Sequence, residues 1–185
     1  MVPTPSLGLV TGDLLRGTGA GDRTLVIGCG NLLRGDDAVG PVLVRHLADL
    51  GTPPGVRLAD AGTAGMDVAF AMRGQDRVVV VDASTGSGHP PGTLFRIPGE
   101  QLAELPPLTG MDLHAFRWPQ ALAFGQWLLK DEYPAEVVVW LVEAQSLGHG
   151  DPLSPVVEQT MRELARRLLD ELGTPTTAAP TGETP

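Results

Sequence analysis

Asp37, Asp82 and His114 are the side chains whose types and settings can carry chemistry. Asp36 and Asp37 close a stretch in which an apolar run, Leu25-Val26-Ile27, meets a glycine-rich turn, Gly28-Cys29-Gly30, and continues through Asn31-Leu32-Leu33-Arg34-Gly35. Asp82 follows four consecutive valines, and His114 stands just before a helical pattern. Two carboxylates and one imidazole from three separate loops make a three-ligand metal site with open positions for water or substrate, and such oxygen and nitrogen donors suit zinc or nickel. Each residue also has a plainer reading. Acids in the first turn of a helix gain about 0.3–1 kcal/mol from its unpaired amides and macrodipole, which fits Asp37, with Asp36 as the cap. A carboxylate ending a buried strand must be offset by something, and backbone amides serve as well as a metal. A lone loop histidine is commonly a surface or capping group. Spacing alone leaves both readings open.

Other chemistries fit less well. Gly28 and Gly30 supply two glycines of a dinucleotide fingerprint, but Leu33 stands where the third belongs, and the acids that follow would repel a pyrophosphate at the helix start. Cys29, between glycines and with no histidine nearby in sequence, reads as a small buried residue. Ser84 and Thr85 lack a G-x-S-x-G elbow. His46, His89 and His149 sit where solvated side chains are the default.

Stepping from these residues to the elements that hold them, the alternation of apolar runs and helical patterns predicts parallel strands joined by helices. Strands are predicted at 24–27, 56–58, 77–81 and 137–142, with a further strand at 91–97, entered from a turn and antiparallel to its neighbours. Helices are predicted at 38–50, 66–72, 115–129 and 154–172. The expected fold is α/β, a three-layer α/β/α sandwich of the phosphorylase/hydrolase-like kind, with helices around a mostly parallel twisted sheet of about five strands. Open sheets of this type bind ligands at the carboxyl ends of their strands, where Asp37 and Asp82 fall. The Asp60-Ala61-Gly62-Thr63 loop ends strand two at the same edge.

At 185 residues the chain suits one domain, expected at 23–172, between an N-terminal extension (1–22) and a disordered tail (173–185) rich in Thr, Pro, Ala and Gly. The net charge of −9 disfavours nucleic acid or an anionic membrane surface as partner. One cysteine excludes an internal disulfide and a multi-thiolate zinc site. With no signal-peptide pattern and no stretch near the roughly 18 apolar residues of a membrane span, the expected location is cytoplasmic.

With those residues in hand, the chain resembles the hydrogenase maturation endopeptidases, which trim the C-terminal extension of the large subunit of nickel–iron hydrogenases. The resemblance rests on residues 28–37 with Gly40, on Asp60-Ala61-Gly62-Thr63-Ala64-Gly65-Met66, on Val81-Asp82-Ala83 with Pro91-Gly92-Thr93, and on His114, in the family's order. The chain departs from the family pattern around His114, with Leu113 before it and Ala115-Phe116-Arg117-Trp118 after it. The resemblance implies that Asp37, Asp82 and His114 are the metal-binding and catalytic residues. It also implies that the metal is nickel carried by the precursor, with zinc or another divalent ion as a surrogate, and that the [NiFe]-hydrogenase large-subunit precursor is the partner. Gly30, Asn31, Asp36, Asp60, Gly62 and Thr63 are expected along the substrate groove. The alternative is a non-catalytic assembly factor that holds the nickel-loaded precursor through the same crevice.

Overall fold

The apolar runs become strands covered on both faces. The computed structural model of the chain describes residues 23–63, 65–99, 101 and 118–173. Its five strands are β1 (Thr24–Cys29), β2 (Val56–Gly62), β3 (Arg77–Ser84), β4 (Leu94–Pro98) and β5 (Glu136–Glu143). They form one sheet in the order β2-β1-β3-β5-β4, parallel except for the edge strand β4, which runs antiparallel to β5. The helices are α1 (Val39–Leu50), α2 (Gly65–Ala71), α3 (Trp118–Leu129) and α4 (Pro155–Gly173).

Side chains alternate across the pleat, and each face finds its own helices. Val26, Val79, Val81, Val138, Trp140 and Val142 pack with Val39, Leu43 and Leu47 of α1 and Met161, Leu164 and Leu168 of α4. Leu25, Ile27, Cys29, Val78, Val80, Val137 and Val139 pack with Val68 of α2, with Met72 just beyond it, and with Ala121, Leu122 and Leu129 of α3. This gives the expected three layers. The buried Trp140 ring lies under the Arg167 guanidinium of α4 at 4.7 Å, with Arg96 of β4 at 5.8 Å.

The chain leaves β1, adds β2 on one side and then crosses to add β3 on the other. The carboxyl ends of β1 and β3 therefore flank the switch point where open α/β sheets place their ligands. Two glycines bring a helix to that point. A Cβ on Gly28 would overlap the Gly40 carbonyl oxygen, and one on Gly40 would overlap the carbonyl oxygens of Cys29 and Val81. The start of α1 thus lies backbone to backbone on β1 and β3. Pro41, in the first turn of α1, gives up an amide that has no partner inside the helix.

Several boundaries differ from expectation. The predicted 38–50 helix opens with a separate 3-10 turn, Gly35–Ala38, before α1. β2 runs on to Gly62 and β3 to Ser84, so Asp60 and Asp82 stand within the ladder rather than beyond it. Parallel pairing with neighbours carries both strands past their apolar cores. Residues 1–22 lie outside the described residues, as does the predicted tail except Gly173, which ends α4. Residues 115–117 of the predicted third helix are also outside them. Among the described residues no helix is long and apolar enough to cross a membrane.

Because the Gly40 contact is between main chains, no rotamer change relieves it. Gly40→Ala is expected to cost about 3 kcal/mol or more, read as a lower urea midpoint with an unchanged slope. A midpoint equal to wild type would show that the helix start is free to shift.

Candidate functional site

The turn after β1 is built by glycine geometry and one carboxylate. Gly30 has φ +128°, a conformation closed to side chains, and its amide donates to the Gly62 carbonyl at 2.8 Å. Across from it β2 bulges: Gly28 pairs with Asp60 but Cys29 pairs with Gly62, leaving Ala61 out of register. The Asn31 amide donates to Asp37 Oδ2 at 3.1 Å, and Asn31 Oδ1 accepts from the Leu33 amide at 2.9 Å. Asp37 is thereby fixed half-buried at the mouth of the crevice, with Oδ1 unpartnered among the described residues.

Asp82 lies beside Gly30, on which the Asp37 main chain also packs. The point where a Cβ of Gly30 would sit overlaps the Asp37 carbonyl and lies 3.5 Å from Asp82 Oδ1. The missing side chain therefore lets the Asp37 main chain pack directly on Gly30, beside the Asp82 carboxylate. Asp82 is only 7% exposed, and its Oδ1 accepts from the Ala83 amide at 2.8 Å.

Asp60 is exposed; its Oδ1 accepts from the Gly62 amide at 3.1 Å and its Oδ2 from Arg45 of α1 at 3.3 Å. Gly62 holds φ +50° at the end of β2, and Thr63 beyond it is exposed. The electrostatics of this edge are read at Cys29. Burial pushes its thiol far above the ordinary range, and the Asp82 and Asp60 carboxylates push it further. The crevice is a site of concentrated negative charge, suited to a cation and hostile to a thiolate.

The expectation for Asp36 is corrected. It neither caps the turn nor faces a substrate, being 1% exposed with every acceptor turned inward. Its Oδ2 accepts from the amides of Gln145 (2.8 Å) and Ser146 (3.0 Å) and from Ser154 Oγ (3.0 Å), and its Oδ1 accepts from the Ser154 amide (2.6 Å). Partners 109 to 118 residues away leave no trace near Asp36 in the sequence. His114 lies outside the described residues. Among the described residues no group of three His, Cys, Asp or Glu side chains is placed to hold a metal. The predicted trio is thus represented here by the Asp37 and Asp82 pair.

Glu143, missed in the sequence, closes β5 at the same edge and is 6% exposed. Burial acts to raise its carboxyl, but hydrogen bonds from Ser87 and Ser84 and the amides of Ser87 and Gly86 outweigh it and hold the group below the usual range. Ser84 Oγ donates to Oε2 at 3.0 Å and the Ser87 amide to Oε1 at 3.2 Å. The signal was available: like Asp82, Glu143 ends an apolar strand.

The family model for hydrogenase maturation proteases matches residues 41–171. The hydrogenase 2 maturation protease of Escherichia coli is 28% identical over 151 residues, covering 81% of this chain and 90% of its own. The hydrogenase expression/formation protein HupD of Thiocapsa roseopersicina is 30% identical over 157 residues, covering 80% and 68%. A protein named coenzyme F420 hydrogenase subunit delta, from Methanothermobacter thermautotrophicus, is 28% identical over 158 residues, covering 80% and 94%. Among solved structures, the hydrogenase maturating endopeptidase HybD of E. coli superposes with a TM-score of 0.69 at 27% identity, covering 82% and 92% of the two chains.

Two outcomes follow from the electrostatics. Cys29 should resist thiol reagents in the native protein and react fully once unfolded; rapid native labelling would show that its burial is overstated. Glu143, with its native carboxyl held low, adds stability that is complete above the unfolded glutamate range and lost as pH falls through the native value. The stability gap between wild type and Glu143→Gln, from denaturant melts between about pH 7 and pH 3, should therefore close on acidification. A gap that widens would contradict the hydrogen-bond account.

Proposed function

The chain belongs to the hydrogenase maturation protease family, and on that premise we propose that it removes the C-terminal extension of a [NiFe]-hydrogenase large-subunit precursor after nickel insertion. Its activity is peptide hydrolysis in hydrogenase maturation. The finer reading is that the nickel is part of the substrate, delivered already bound to the precursor and gripped by Asp37, Asp82 and His114.

The observation that supports this reading is that the turn bearing Asp37 and the strand bearing Asp82 meet at Gly30, whose Cβ position overlaps the Asp37 main-chain carbonyl and lies 3.5 Å from Asp82 Oδ1. Carboxylates are suitable ligands for a divalent ion, and an incomplete protein ligand set leaves positions for ligands brought by the client. A precursor without its metal forfeits those bonds. Discrimination then comes from a missing partner rather than from reading sequence. Hydrolysis adds water across the scissile amide, giving a carboxyl on the mature subunit and an amine on the released segment. Asp37, half-buried and held by the Asn31 amide on one oxygen, is the acid suited to orient or deprotonate that water. Zinc or another divalent ion is the expected surrogate in vitro, and the cytoplasm the expected compartment.

One relative is named as a hydrogenase subunit rather than a protease. That name favours, as the second reading, an assembly factor that holds the nickel-loaded precursor without cutting it.

Intact mass of the precursor separates the two. The nickel-loaded large subunit incubated with the chain should lose its C-terminal segment, and the nickel-free form should keep it. Asp37→Asn and Asp82→Asn should each slow cleavage at least about 100-fold, the scale of a positioned acid or base, with melting temperatures near wild type. Tight association with unchanged precursor mass would select the assembly factor. Cleavage of the nickel-free form at the same rate would remove the metal from the mechanism.

A further inference from the structure

We infer that Asp36 is a positioning residue: a buried latch that sets the orientation of Asp37 by tying the turn before α1 to the loop between β5 and α4. The inference rests on the reading of Asp37 as a working acid.

The latch is built entirely from hydrogen bonds. Asp36 receives three main-chain amides and one hydroxyl, from both ends of that loop: Gln145 and Ser146 as the chain leaves β5, and Ser154 as it enters α4. Among the described residues none of the donors is a cation, so the carboxylate is offset by oriented amides, as in an anion nest. The main chain repeats the tie. The Asp36 amide donates to the Ser146 carbonyl at 2.9 Å, and the Gly150 amide to the Leu33 carbonyl at 2.8 Å. A Cβ on Gly35 would come within 2.7 Å of the Ser146 carbonyl, so the two segments are in direct contact.

Asp36 and Asp37 are successive residues of one 3-10 turn, and their side chains are held on different sides of it. Asp36 is fixed by the far loop and Asp37 by the Asn31 amide at 3.1 Å. Rotation of the turn would move both together. Four bonds on Asp36 against one on Asp37 mean that the buried residue sets the angle and the half-exposed one inherits it. Misplacing a reacting group by about 1 Å costs up to about 100-fold in rate, so loss of the latch should appear in catalysis before it appears in folding.

Two variants test this. Asp36→Asn keeps the shape but sets a donor against donors; Ser154→Ala removes one hydroxyl donor and leaves the charge and the amides. On the nickel-loaded precursor, Asp36→Asn should lower kcat at least about tenfold with KM within about twofold of wild type, and Ser154→Ala should lower kcat about threefold with KM unchanged. The second readout is amide exchange at Asn31, the donor to Asp37. It should quicken in both variants while the β3 amides of Val79 and Val80 keep their protection. A purely structural role would instead loosen all of these together. Wild-type kcat in both variants, a rise in KM alone, or unchanged exchange at Asn31 would overturn the latch. Asp37→Asn, run in parallel, separates the two claims. If it cleaves like wild type, the assignment of the working acid fails, and the Asn31 exchange still decides whether Asp36 holds the turn.

Discussion

The contact between Gly28 and Gly40 is the constraint on which the site depends. Any side chain at either position would push α1 away from β1 and β3, since the atoms in the way are carbonyl groups of the neighbouring main chains. With both residues glycine, the helix starts directly above the switch point, and the turn that precedes it is delivered to the carboxyl end of the sheet. The Asp37 main chain lies on Gly30, next to Asp82, because the helix behind it sits this close. Packing and site chemistry are here one problem, solved at two positions without side chains.

The sheet edge formed this way is acidic, and neutral donors of the main chain and of serines bond its buried acids. Asp82, Asp36 and Glu143 are each under a tenth exposed. The bonds named for them come from amides and hydroxyls: Ala83 for Asp82, the 145–154 loop for Asp36, and Ser84 with Ser87 for Glu143. The named cation at this edge, Arg45, pairs with the exposed Asp60, where solvent screens the interaction. For Glu143, hydrogen bonding outweighs burial and holds the carboxyl below its usual range.

Much of the fold was legible because burial on both faces writes itself as unbroken apolar runs. Val78 to Val81 and Val137 to Val139 needed no context to be recognised as buried strands, and the alternation in 91–97 foretold an antiparallel strand, which the structure places at the sheet edge. The approximate position of the acids at the strand ends followed from the same runs. Long-range hydrogen bonding stayed hidden. Asp36 looked like a helix-start acid because its donors lie more than a hundred residues on, and Asp60 looked like a loop residue because the β2 bulge beside it depends on pairing with β1. His114, suggested by residue chemistry and by the resemblance, falls outside the described residues.

The span between Asp36 and Ser154 orders events in time. Synthesis proceeds from the N-terminus and domains fold as they emerge, so Asp36 leaves the ribosome long before the serine that completes its hydrogen bonds. A nascent chain can pair β1 with β2, yet its acids remain loosely held until the segment leading into α4 has been translated. The bonds that fix Asp36 are thus among the last the domain can complete.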